Sequence, residues 1–263
     1  MPIREKKFYC GKYLDIEIYP ITKQEQKQKR KKKEKESRKV QKNLNDKNAK
    51  KHLRRILNTN FTDEDVVVHL TYSEKNLASS EEEAVRDRNN FIRRVKNYRK
   101  KNGLSELKYV AVCEYKEATK DSRTRTRIHH HIVMSGMDRD TLEKMWKKGR
   151  ANADRLKENE LGYEELANYI AKDPKGKKRW TQSRNLIMPE PKINDYKITR
   201  KKVWELSRGN DVRGELERMY PGYIFTGHKV EINDITAGTY IYIKMRRRLD
   251  YEEGHRHKRV SYR

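Results

Sequence analysis

Apolar residues recur with two periods along this chain, and the switches between them mark its elements. Phe8 to Ile21 reads FYCGKYLDIEIYPI. Leu14, Ile16 and Ile18 alternate with Tyr13, Asp15, Glu17 and Tyr19, so one face of an extended strand is apolar. Pro20 ends this strand, and Gly11 marks a turn before it. Asp65 to Ser73, DVVVHLTYS, is a β-branched run with the pattern of a central strand. Val67, His69, Thr71 and Ser73 share one of its faces. Leu107 to Glu117, LKYVAVCEYKE, is another strand. Val110, Val112 and Glu114 share one face of it, and Cys113 takes the other as a core thiol. Arg127 to Gly136, RIHHHIVMSG, begins polar and turns apolar, as a strand entering a core does.

Elsewhere the period is helical. Ser80 followed by Glu83 is a capping-box pattern, and Ala84, Phe91, Ile92, Val95 and Tyr98 form the buried stripe of a helix over 80–102 that stops at Gly103. Asp138 to Lys148 predicts a helix with Leu142, Met145 and Trp146 inward, and Gly149 to Lys157 a short strand. Gly162 to Lys172 predicts the next helix, closed by Asp173-Pro174. Tyr163, Leu166, Ala167 and Ile170 are its stripe, with Tyr169 at the stripe's edge and Lys172 at i+3. Pro189 and Pro191 mark a turn. Thr199 to Ser207 and Val212 to Met219 read as helices. Two β-like runs around Asn233-Asp234, within Tyr223 to Lys244, read as a hairpin that extends the sheet or forms a small appended unit. The class is α+β, a central antiparallel sheet flanked by helices. It divides into an N-terminal strand and basic helical arm (1–60), a core (61–188), C-terminal helices and hairpin (189–249) and a basic tail (250–263).

Charge changes the picture. The 263 residues carry 65 Lys+Arg against 39 Asp+Glu, a formal net charge of +26, and 33% are hydrophobic. A field this positive seeks polyanions, nucleic acid first and an anionic membrane surface second. Lys23 to Asn58 alone holds 16 Lys or Arg against 4 Asp or Glu, a net +12. Its first part is either a solvated helix or a segment that folds on phosphate. Val40, Leu44, Ala49, Leu53 and Ile56 then give an imperfect helical stripe that docks on the body. No run reaches the length of a membrane span, and no apolar stretch opens the chain, which predicts a cytoplasmic protein. Two cysteines without CxxC spacing, Cys10 and Cys113, predict neither a zinc knuckle nor a disulfide framework.

The candidate chemistry lies in the histidine strand. His129 and His131 point to one side with Val133, and His130 to the other. Two imidazoles ~7 Å apart on one face can reach one metal ion if a carboxylate joins them. A hairpin between the Glu114 strand and this one would supply it, since Glu114 among valines needs a cation. The pair His130 with His129, or a slipped register, is the alternative, though alternation favours His129 with His131. His69 is an added candidate ligand, although a lone strand histidine is more often structural. Such a set suits Mg²⁺ or Mn²⁺, with imidazole favouring Mn²⁺. Trp180, among Lys178, Arg179 and Arg184, is either a base-stacking platform or a core residue. His255 and His257 repeat the H-x-H spacing with no apolar strand to support it. There is no Walker A pattern.

The order of these parts, strand LTYS, strand with a carboxylate, strand H-x-H and helix Y-x-x-K (Tyr169 to Lys172), resembles the HUH endonucleases. The nearest likeness is to the replication initiators of bacterial single-stranded DNA phages and related plasmids, over about residues 60–186. The resemblance implies metal binding by His129, His131 and Glu114, a nucleophilic Tyr169 and a charge-steadying Lys172. It implies a structural or DNA-contacting Thr71. It also implies a metal-assisted attack on a single-stranded, hairpin-bearing origin, giving a 5′-phosphotyrosine and a free 3′-OH, with a host polymerase and helicase as partners. Two features depart from the family. His130 stands where a bulky hydrophobic residue is usual, and Glu165 where some members carry a second tyrosine, which resembles the single-tyrosine class. An HUH relaxase or transposase would share this chemistry. A non-catalytic basic nucleic-acid-binding protein and a metal nuclease using water are the rivals from other classes.

Overall fold

In a computed structural model, residues 1–22, 39–116, 127–171, 179–232 and 238–248 are described. In chain order the elements are β1 (Ile3–Cys10), β2 (Tyr13–Pro20), α1 (Lys39–Asn60), β3 (Val66–Tyr72), α2 (Glu81–Lys101), β4 (Tyr109–Lys116) and β5 (Arg127–Met134). Then follow α3 (Arg139–Lys144), β6 (Gly149–Arg155), α4 (Glu164–Ile170), β7 (Thr181–Gln182), β8 (Pro191–Asn194), α5 (Arg200–Arg208), α6 (Val212–Met219), β9 (Tyr223–Ile232) and β10 (Thr239–Arg247). They form an α+β protein with two five-stranded sheets, each paired antiparallel throughout. Among the described residues no helix is long and apolar enough to cross a membrane.

The first unit comprises residues 47–158 and 163–187 and carries the sheet β6-β3-β5-β4-β7. Both of its faces are covered. On one face Val67, Val110, Val112 and Val133 pack with Leu53, Ile56 and Leu57 of α1 and with Ala167 and Ile170 of α4. On the other, Val68, Leu70, Ala111, Ile132 and Met134 pack with Phe91, Ile92 and Val95 of α2, and with Leu142 and Trp146. Strand alternation therefore feeds two cores at once, which is why the strands read as apolar runs. Ser80 caps α2 as expected, its hydroxyl accepting from the Glu83 amide at 3.2 Å. The Glu83 carboxylate, however, reaches the Ser79 amide and hydroxyl, both at 2.7 Å. Helix α3 is shorter than the expected 138–148, because the chain turns at Met145 and Trp146 donates its indole N–H to the Thr71 carbonyl at 2.9 Å.

The second unit comprises residues 1–46, 159–162 and 188–263, with the sheet β8-β1-β2-β10-β9. The C-terminal hairpin pairs β10 with β2 of the N-terminal hairpin, so the two chain ends build one sheet. Leu14, Ile16, Ile18, Ile241 and Ile243 meet Val203, Leu206 and Leu216 of α5 and α6. Strand β1 has no apolar alternation to reveal it. Its fully buried Glu5 accepts from the Tyr220 hydroxyl at 2.5 Å and lies 3.5 Å from both Lys7 and Lys197. Residues 24–38 of the basic arm, the 120–126 turn, Asn233-Asp234, His255 and His257 lie outside the described residues.

Candidate active site

Cross-strand pairing sets the site. His131 of β5 lies opposite His69 of β3 and Val112 of β4. One pair further along, His129 lies opposite Thr71 and Glu114. Directly opposed residues share a face. On that face the valine row of Val67, Val133 and Val110 gives way to polar rows of His69 with His131, then Thr71, His129 and Glu114. Strand β6 adds Asn152 beside His69 and Arg150 beside Thr71, both exposed. The polar rows thus begin where the core of α1 and α4 ends.

His131 joins the set. Its Nε2 is 2.9 Å from Glu114 Oε2, and its Nδ1 is 2.8 Å from Nδ1 of His69. A carboxylate accepts, so Nε2 of His131 carries a proton. When His131 is neutral, its Nδ1 is then a lone pair and His69 donates to it. Burial, with the nearby His131 charge adding to it, pushes the His69 pKa down from the ordinary histidine value. The lowered pKa favours a neutral His69 ring, which beside a neutral His131 donates from Nδ1 and keeps a lone pair at Nε2.

Tyr169 stands over this pair. Its ring centroid lies 5.3 Å from that of His131 and 6.4 Å from that of His69, edge-on to both. It is 57% exposed, whereas its helix neighbours Ala167 and Ile170 are in the core. Two bonds fix that helix: the Tyr163 amide donates to Asn58 Oδ1 at 2.9 Å, and Arg54 donates to Glu164 at 2.7 Å. Helix α4 spans only Glu164–Ile170, so it is shorter than the expected 162–172. Lys172 and Lys178 lie outside the described residues.

His130 faces the other way, which removes the slipped-register alternative. It is fully buried between Leu70 and Cys113, its Nε2 3.2 Å from the Tyr72 hydroxyl and its ring 6.0 Å from Trp146. Burial, with Arg88 adding to it, lowers its pKa to about 3.

Of the remaining expected residues, Thr71 lies in the His129 row, while the Trp180 segment lies apart from the histidines. Gln182 pairs with Val110, four residues along β4 from Glu114, or ~13 Å at strand rise. Trp180, next to it, is partly buried against the α1 core and donates to Gln182 Oε1 at 2.8 Å. Arg179 is half-buried and Arg184 exposed. The Thr71 hydroxyl donates to the Arg150 carbonyl at 3.1 Å. Arg150 and Asn152 alternate with Ala151 and Ala153 in GRANADR, which marks a strand but not its place beside β3.

The donor chemistry, imidazoles with one carboxylate, fits a divalent ion. Among the described residues no three His, Cys, Asp or Glu side chains are spaced as a formed metal site. His131 instead spends both ring nitrogens on His69 and Glu114, and these are the bonds an arriving ion would replace.

Antiparallel sheets flanked by helices are consistent with a Rep-like fold. The family model described as Replication-associated protein ORF2/G2P matches residues 65–174, which span β3 to α4 and hold the whole cluster. The match supports a replication initiator. No curated protein and no solved structure matches the chain.

Proposed function

We propose that the protein is a replication initiator that nicks single-stranded origin DNA with Tyr169 and later rejoins the strand. The observation that carries the reading is the exposed Tyr169 ring edge-on to His131, itself hydrogen-bonded to Glu114 and His69. Tyr169 Oη attacks the scissile phosphorus and the bond from phosphorus to the 3′ oxygen breaks. The phenol gives its proton to water, and the departing 3′ oxygen takes one up. The products are a 5′-phosphotyrosine and a 3′-OH that primes a host polymerase, with a host helicase opening the duplex. Attack by a 3′-OH on the phosphotyrosine reverses the exchange, so the strand is rejoined without ATP. His129, His131 and Glu114 would hold Mg²⁺ or Mn²⁺, which when bound supplies charge withdrawal from the phosphate. Lys172 would steady the same charge.

The test is a denaturing gel of protein mixed with hairpin-bearing single-stranded DNA, with Mn²⁺ or EDTA, for wild type and Tyr169→Phe. A Mn²⁺-dependent protein–DNA adduct that the variant lacks is expected. Cutting that persists in Tyr169→Phe without an adduct would point to a water-using nuclease. DNA binding with no cutting by either protein would point to a binding protein.

A further inference from the structure

Helix α5, RKKVWELSR, buries Val203 and Leu206 and turns its other side to solvent. Trp204 stands on that side, 60% exposed. Indoles carry a large apolar area and concentrate at contact surfaces when they face water. Helical spacing puts Arg200 and Lys201 one turn before Trp204 and Arg208 one turn after, and all three are exposed. The neighbouring acids are engaged elsewhere: Glu205 and Glu215 hold Lys202 at 2.7 and 2.8 Å. Ahead of the helix Tyr196 is 90% exposed. Its backbone is pinned, since Asn194 Oδ1 accepts from the amides of Tyr196 and Lys197, each at 2.9 Å. The ring is therefore displayed from a fixed turn.

We propose that this side of α5, with Tyr196, is a contact surface for single-stranded nucleic acid, separate from the Tyr169 site. Aromatic faces stack on bases that are free of a duplex, while flanking cations meet the phosphates. A duplex hides its base faces, and an acidic peptide would use the cations but leave both rings without partners. The surface goes beyond the nicking reading and uses none of its residues, so a protein that cuts nothing would still possess it.

The experiment is anisotropy titration of the full chain with labelled oligo(dT), oligo(rU) and a duplex of equal length. Trp204→Ala should weaken both single strands by about 5- to 30-fold and leave the duplex within about twofold, with Trp204→Phe intermediate. A combined Arg200→Gln, Lys201→Gln, Arg208→Gln variant should lower the salt slope of oligo(dT) binding by about 2. Thermal melts establish that each variant is folded. Should Trp204→Ala fail to fold, Trp204→Phe and the triple variant carry the test. Unchanged oligo(dT) affinity and salt slope would overturn the proposal. So would competition by poly-glutamate that depends on Trp204 as strongly as oligo(dT) binding does. The denaturing-gel adduct assay reads nicking alone, which keeps a failure of the nicking reading distinct from a failure of this one.

Discussion

Acid should destabilise the histidine-strand sheet through His130. The side chain is 0% exposed, and burial holds its pKa at about 3, against 6.5 ordinarily. Below pH 6.5 the unfolded chain protonates this ring while the native state does not, so the unfolded state binds the extra proton. The stabilisation is complete above pH 6.5 and is lost progressively as pH falls towards 3. Each pH unit in that window costs about 1.4 kcal/mol. Descending to about pH 5 therefore removes about 2 kcal/mol, a large share of the ~5–15 kcal/mol of a typical domain. The assay is urea unfolding followed by circular dichroism at about pH 7.5, 6.5 and 5, on wild type and His130→Leu. Leucine fills similar space and does not titrate. Near pH 7.5 the variant loses the Tyr72 hydrogen bond, worth about 1 kcal/mol. By about pH 5 that deficit should be erased or reversed. His52 and His69, also lowered by burial, titrate in both proteins and cancel in the comparison. Curves that fall in parallel would refute the argument.

Other perturbations address the scaffold and the site. Ser80→Ala removes the α2 cap and should cost about 1 kcal/mol in urea unfolding; no change would mean that Glu83 and Ser79 hold the helix start alone. Gly149→Ala puts a Cβ 2.3 Å from the Thr71 carbonyl oxygen and 2.4 Å from the Ser73 amide. Backbone must then shift, so a loss of about 1–3 kcal/mol is expected, and wild-type stability would contradict the close approach. Glu164→Ala removes the Arg54–Glu164 ion pair and loosens α4. Adduct formation should drop by about tenfold or more while DNA affinity holds; equal losses of both would argue against a positioning effect. His69→Ala should weaken Mn²⁺ binding, measured by calorimetry, by about 10- to 100-fold, and an unchanged affinity would confine His69 to packing.

Much of this protein is written in local pattern. The alternation in DVVVHLTYS and LKYVAVCEYKE, the stripe from Ala84 to Val95 and the HHHIVM run each specify an element and its inward face. Strand geometry alone separates His130 from its neighbours, because successive side chains must leave a strand on opposite sides. The order of these elements also carried the likeness to replication initiators. Tertiary structure decided what no local pattern encodes. Register made His69 the partner of His131, since a single-residue slip would have sent it to the α2 core. Packing of α4 on α1 turned Tyr169 towards the histidines, through Asn58 and Arg54, more than a hundred residues away in sequence. The pairing of β10 with β2 joined the chain ends and buried Glu5 with Tyr220. A buried carboxylate in a polar strand has no hydrophobic signature, and the Tyr220 hydroxyl that bonds it comes from the distant helical segment.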